Sequence, residues 1–163
     1  MKVKRLIWIV LATLIAFSLI AAGPSATKWV YIKVGASKDV QIGNIGMHVT
    51  DSYYAGHVKV SLKTKEPVTG ADRLRPVTKM IDVRFKDLNG ETVTSINGTW
   101  YVYYNLTPYQ MKLFNNKKLS IFYFDPWPNE WKKCNTWKVI GVDNRVACRI
   151  VYFGLYGLAK TYK

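Results

Sequence analysis

At 163 residues, 49% of them hydrophobic and 14% aromatic, the chain is long enough for one domain plus a short targeting segment. Lys and Arg number 24 against 10 Asp and Glu, a formal net charge of +14 that favours lipid headgroups, acidic polysaccharide or wall polymers as partners. A body of this size buries a core without needing disulfides or metal as its main support.

The first segment reads "MKVKRLIWIVLATLIAFSLIAAGPSA". Lys2, Lys4 and Arg5 precede an uncharged run, 6–22, and small residues follow (Ala21, Ala22, Gly23, Ser25, Ala26). That is the layout of a secretory signal peptide. The alternative is an uncleaved anchor, since 17 residues lie at the short edge of a bilayer span. The chain thus divides into 1–26, signal peptide or membrane anchor, and 27–163, the domain. Either reading puts the domain outside the cytoplasm, secreted or tethered by residues 6–22. Without 1–26 it keeps 21 basic and all 10 acidic residues, +11. Export argues against nucleic acid as the partner of that charge.

The exported part is rich in β-branched and aromatic residues in short segments. Strands are predicted over 28–34, 57–63, 79–86, 91–96, 99–105, 118–124, 136–142 and 145–158. In "HVKVSLK", Val58, Val60 and Leu62 alternate with Lys59, Ser61 and Lys63, as in a sheet with one wet face. Asn89-Gly90 predicts a tight hairpin whose two central residues both take positive φ, and Asp143-Asn144 a weaker one. Thr107, Pro108 and Gln110 predict a capped helical turn, with Leu106 and Met111 as its hydrophobic staple and Asn115 or Asn116 at its end. The fold class expected is an all-β antiparallel sandwich with one short helical turn. The apolar end, 150–159, is too short for a membrane helix and holds Gly154 and Gly157, so it reads as a buried central strand. A membrane barrel is disfavoured, because the strands are short and carry lysine on their outward side.

Chemistry is sparse. His48, Asp51 and His57 have a spacing that matches no common zinc pattern, and no cysteine lies near them. A serine triad would need Ser52 or Ser61 beside a histidine, without the usual elbow motif. Asp82, Asp87, Asp125 and Glu130 are the carboxylates that could pair for glycoside hydrolysis, though surface or turn roles suit them better. We expect no enzyme, cofactor or metal. The strand "TWYVYYN" sets Trp100, Val102 and Tyr104 on one face and Tyr101 and Tyr103 on the other. The loop "DPWPNEW" offers Trp127 and Trp131 for stacking on sugar rings, with Lys132 and Lys133 to attract acidic groups. The competing expectation is that Trp131 packs over a disulfide and Trp127 covers a sheet edge. Asn97 and Asn105 open glycan sequons, the second competing with the helix cap at Thr107.

Cys134 and Cys148 are the only cysteines, and an oxidising compartment favours their pairing. A tight turn at Asp143-Asn144 would set Val139 opposite Cys148, so the bond requires a wider loop around 140–142 or another strand geometry. The run from "IFYFD" through Trp131 and "KKC" to "VACRIVYFGLYGLA" resembles the C-terminal module of GAIN domains, the proteolysis-site motif of adhesion receptors, and the endings of bacterial surface proteins. The resemblance covers 119–159. It sets Trp131 and Cys134 on the motif's tryptophan and second cysteine, Cys148 on the third, Ile150 in place of the fourth, and Tyr156-Gly157-Leu158 on the ending. Tyr152-Phe153-Gly154 then stands where a cleaving module has a histidine base and a hydroxyl nucleophile. Gly154 has no hydroxyl, so the resemblance implies a module that does not cut itself.

The expected function is therefore a non-catalytic binding or structural module at the cell envelope. Its partner is an anionic polymer, polysaccharide or membrane surface, or else a surface protein. The competing reading is a small secreted carbohydrate-active enzyme or inhibitor.

Overall fold

The computed structural model describes residues 26–63, 75–94, 96 and 98–161. The expected signal or anchor lies outside them, apart from Ala26. Among the described residues no helix is long and apolar enough to cross a membrane.

These residues form two antiparallel sheets and one short helix. The first sheet runs β1 (Thr27–Ile32), β4 (Gly56–Lys63), β5 (Met80–Asp87), β12 (Leu155–Lys160), β8 (Leu119–Asp125), β9 (Glu130–Lys133), with β6 (Thr92–Val93) also on β5. The second runs β10 (Thr136–Lys138), β11 (Arg145–Arg149), β7 (Gly98–Asn105), β3 (Ile45–Ser52), β2 (Lys38–Ile42). One core lies between them: Val58, Val60, Ile81, Val83, Phe85, Ile121 and Leu158 from the first meet Met47, Val49, Trp100, Val102, Tyr104 and Val146 from the second. Burying each of the larger side chains contributes about 1.5–3 kcal/mol. The alternation expected for Trp100, Val102 and Tyr104 against Tyr101 and Tyr103 is present, the first three facing this core.

The helix α1 (Pro108–Asn115) follows the sequence closely. Thr107 caps it and Gln110 returns the reciprocal bond to the Thr107 N–H at 2.9 Å. Pro108 opens it, Leu106 and Met111 are buried beside it, and Asn116 closes it. It spans two turns rather than one.

Four features differ from expectation. The stretch "KDVQIGNIGMHVTDS", not among the expected strands, forms the β2–β3 hairpin. Gly43 takes φ 62° at the first central position, where a two-residue turn of type II′ needs it. Next, the Asn89-Gly90 turn is wider than expected: only Gly90 has positive φ (83°), while the Asp87 side chain accepts from the N–H groups of Asn89 and Glu91. Third, residues 130–133, read as loop, form strand β9 on β8.

The fourth difference concerns the apolar end. Residues 145–158 are two strands, one in each sheet, because 150–154 carries the chain from β11 across to β12. Tyr156 organises that crossing: its phenol accepts from the N–H groups of Val151 (3.0 Å) and Tyr152 (3.3 Å) and donates to the Tyr152 carbonyl (2.7 Å). Phe153 tucks against Phe85 and Trp100. The final part, β12, is indeed central and buried on both faces from Tyr156 to Ala159.

Cys134 and Cys148 form a disulfide with Cα atoms 6.1 Å apart. The geometry is a corner rather than a rung. Cys134 N–H donates to Ile121 in the first sheet at 2.9 Å, whereas Thr136, two residues on, pairs with Cys148 in the second. The loop beyond β10 is wide, with Val139 N–H donating to Arg145. The expected tight turn at Asp143-Asn144 is absent, which is what lets the cysteines meet.

Candidate functional sites

The loop expected to bind does not assemble its four residues into one surface. Trp127 stands at the tip of the β8–β9 hairpin, 90% exposed, its N–H held by Asp125. Trp131 lies on β9 edge-on to Phe124, with ring centroids 5.6 Å apart. Its indole N–H is buried without a hydrogen-bond partner. Lys132 projects from the opposite side of the strand, where it meets Asp125 at 2.8 Å and Glu130 at 3.4 Å. Its charge is thereby neutralised locally. The same hydrogen bond holds Asp125 below the usual carboxylate range and Lys132 above the usual lysine range. Lys133 is exposed on an open groove of about 670 Å³ between the end of α1 and the disulfide corner. Successive residues of a strand alternate faces, so Lys132 and Lys133 cannot flank one ligand on β9.

The carboxylates are accounted for similarly. Asp82 pairs with Arg84 at 2.8 Å, and Asp87 holds the β5–β6 turn. Asp125 and Glu130 do face each other across β8 and β9, but with the Lys132 ammonium between them.

Two outward surfaces were not foreseen. On the first sheet, cross-strand register aligns Trp29 with Lys59 and Arg84, and Tyr31 with His57 and Lys86. Trp29 is 55% exposed with the Lys59 ammonium 5.5 Å from its ring, and Tyr31 packs on His57 at 5.2 Å. The result is a corner where the β1 aromatics Trp29 and Tyr31 stand beside His57, Lys59, Arg84 and Lys86 of β4 and β5. The signal was present in "KWVYIKV" and "HVKVSLK", but only the pairing of β1 with β4 joins them.

The second surface lies on the other sheet. His48 stacks on Tyr101 at 5.2 Å, and Tyr101 meets Trp137 edge-on at 6.2 Å. Tyr103 donates its hydroxyl to Asp39 at 2.9 Å and lies across Gly46, where a Cβ would collide with its ring. The Arg145 guanidinium covers the Tyr103 ring at 4.1 Å. Desolvation, with the Asp39 bond next, raises the Tyr103 phenol well above its ordinary value. His48 also reaches Asp39 at 3.4 Å and Ser37 at 3.5 Å, a line of serine, histidine and carboxylate. The serine is Ser37 rather than Ser52 or Ser61. Both distances are long for an activated nucleophile, and Asp39 is open to water. His48 and His57 sit on different sheets, which separates the metal set drawn from sequence.

Residues 152–154, in the place of the cleavage tripeptide, lie in the crossing between β11 and β12. Compared with known proteins, the chain matches no family model, no curated protein and no solved structure.

Proposed function

We propose that the chain is a non-catalytic, extracytoplasmic β-sandwich that binds an anionic polymer, polysaccharide or membrane surface at the cell envelope. The observation that carries this reading is the corner of Trp29, Tyr31, His57, Lys86 and the half-buried Lys59 on the first sheet, with Arg84 held beside them by Asp82. Adjacent aromatic and cationic side chains suit an extended anionic surface, with the charges attracting it and the amphipathic rings packing on it. The Cys134–Cys148 disulfide supports an oxidising compartment, as does the apolar 6–22 segment. The exposed Trp127 remains a candidate second contact, and the likeness to the GAIN-type ending would make this a member without cleavage chemistry. The line of Ser37, His48 and Asp39 is the one observation favouring the competing reading of a secreted carbohydrate-active enzyme.

The test is sedimentation of the full chain with isolated envelope polymers and with vesicles rich in anionic lipid, across a salt series. Binding should weaken with salt as charge is screened. A Lys59→Glu, Arg84→Glu variant should lose most of it, and Trp29→Ala should lose a part that salt does not remove. A wild-type chain that binds neither preparation at low salt would sink the reading.

A further inference from the structure

On the outward side of the second sheet, the Ala147 methyl floors a cavity of about 170 Å³ walled by His48, Tyr101, Tyr103, Val139 and Arg145. We propose that this cavity is a subsite for one carboxylated sugar ring, a uronic acid unit of an acidic polysaccharide. The proposal rests on the reading of the chain as an envelope-binding module, but places a specific contact on the sheet opposite the charged corner.

Size sets the first limit. Sites for drug-sized ligands run to roughly 300–1,000 Å³, so this cavity takes a single ring rather than an extended ligand. Its walls are suited to one. Tyr101 in the wall, and the partly exposed Trp137 set edge-on to it just outside the wall, offer apolar ring surface at one side, against which the C–H face of a pyranose can lie.

Arg145 supplies the anion contact. Its Nε donates to Asn105 Oδ1 at 2.7 Å and its plane rests on the Tyr103 ring, so the guanidinium is held in one orientation before any ligand arrives. Among the described residues its Nη groups have no hydrogen-bond partner, leaving that edge for a carboxylate, which it matches in bidentate geometry. Tyr103 is itself fixed from below by Gly46 and at its hydroxyl by Asp39 and Gln41.

Asp39 decides between kinds of anion. Its carboxylate is half-exposed beside the cavity, turned to His48 and Tyr103. A bare sulfate would meet that charge with no donor to offer it, and a phosphate ion with at most one or two P–OH groups. A uronic acid brings hydroxyl donors for Asp39 together with a carboxylate for Arg145. The ligand that satisfies both is an anion that also carries hydroxyl groups.

The experiment is isothermal titration of the full chain with a short oligogalacturonate, its neutral hexose counterpart and inorganic phosphate, at a salt concentration that strips the charged corner. Oligogalacturonate alone should bind. Arg145→Lys should weaken it at least tenfold while the protein still unfolds in one cooperative transition above the assay temperature, since a point charge replaces a planar fork, and Trp137→Ala should weaken it comparably. Lys59→Glu on the other sheet should leave it unaltered. Equal binding of the neutral sugar, effective competition by phosphate, or full affinity in the Arg145→Lys protein would overturn the subsite. Those outcomes leave the broader reading standing if salt-sensitive sedimentation persists. Failure to sediment with either preparation, together with retained oligogalacturonate titration, would sink the broader reading and leave the subsite.

Discussion

The Tyr104 hydroxyl on β7 donates to the Tyr156 carbonyl on β12 at 3.0 Å, a hydrogen bond buried between the two sheets. Burial holds the Tyr104 phenol protonated far above the ordinary tyrosine range. Tyr156 in turn shapes the 150–154 crossing through its own hydroxyl. One pair of tyrosines therefore ties the second sheet, the first sheet and the connection between them.

Replacing Tyr104 by Phe removes the donor and keeps the ring. Stability should fall by about 1–3 kcal/mol, the cost of a buried polar group left without its partner. Urea denaturation with an unchanged m-value is the check, and a loss within experimental error would show that the bond contributes nothing.

The disulfide closes a short loop at the corner between sheets, with a sequence separation of 14. Changing both cysteines to Ser should cost about 3 kcal/mol on the chain-entropy estimate for a loop of that length. Comparing thermal unfolding of that variant with wild type, with and without reductant, tests it: reductant should lower only the wild-type midpoint.

The Asp125–Lys132 pair gives a pH dependence of defined sign. The lowered Asp125 pKa contributes stability above the ordinary carboxylate value, about 3.9, and the contribution is lost as pH falls through the depressed value. The raised Lys132 pKa contributes fully below the ordinary lysine value, about 10.4, and is lost as pH rises through the raised value. Asp125→Asn should flatten both limbs of the stability curve. The effect should be small, because the lysine side chain is 41% exposed and solvent screens the pair.

Gly98 has φ 106°, and a Cβ there would strike the Asp51 carbonyl. Gly98→Ala combines backbone strain with a collision against main chain, so it should destabilise by more than 1 kcal/mol. Gly90→Ala has the same positive-φ cost but open space around it and should be milder. Parallel denaturation curves would separate the two, and equal losses would show that the collision is relieved at no cost.

Local signals carried far into the fold. The capping box at Thr107 and Gln110 needs only neighbours in the chain, and it is present as expected. The alternation in 57–63 and 99–105 identified inward and outward residues because a strand repeats every two positions. The β2–β3 hairpin was missed although Gly43-Asn44 between alternating residues is a turn signal. Residues 145–158 read as one strand because "VAC" runs through a single Arg149 into the apolar 150–158, and nothing local says that the chain changes sheets. The candidate site shows the same division. Trp127, Trp131, Lys132 and Lys133 are contiguous in sequence and so were easy to group, yet the strand turns them to opposite sides.

By itself, the sequence determined the all-β antiparallel class, the capped helix, the inward faces of several strands and the availability of two cysteines for a bond. Each depends on backbone preference or on spacing along one segment. Tertiary structure alone decided which segments became neighbours: Trp29 beside Lys59, Arg145 over Tyr103, Asp39 against His48, and Cys134 at the corner facing Cys148. The first two contacts join residues far apart in the chain, the last two turn on hairpin register and loop width, and all depend on how the strands are paired. Burial of the whole core sets that pairing, and no short stretch encodes it.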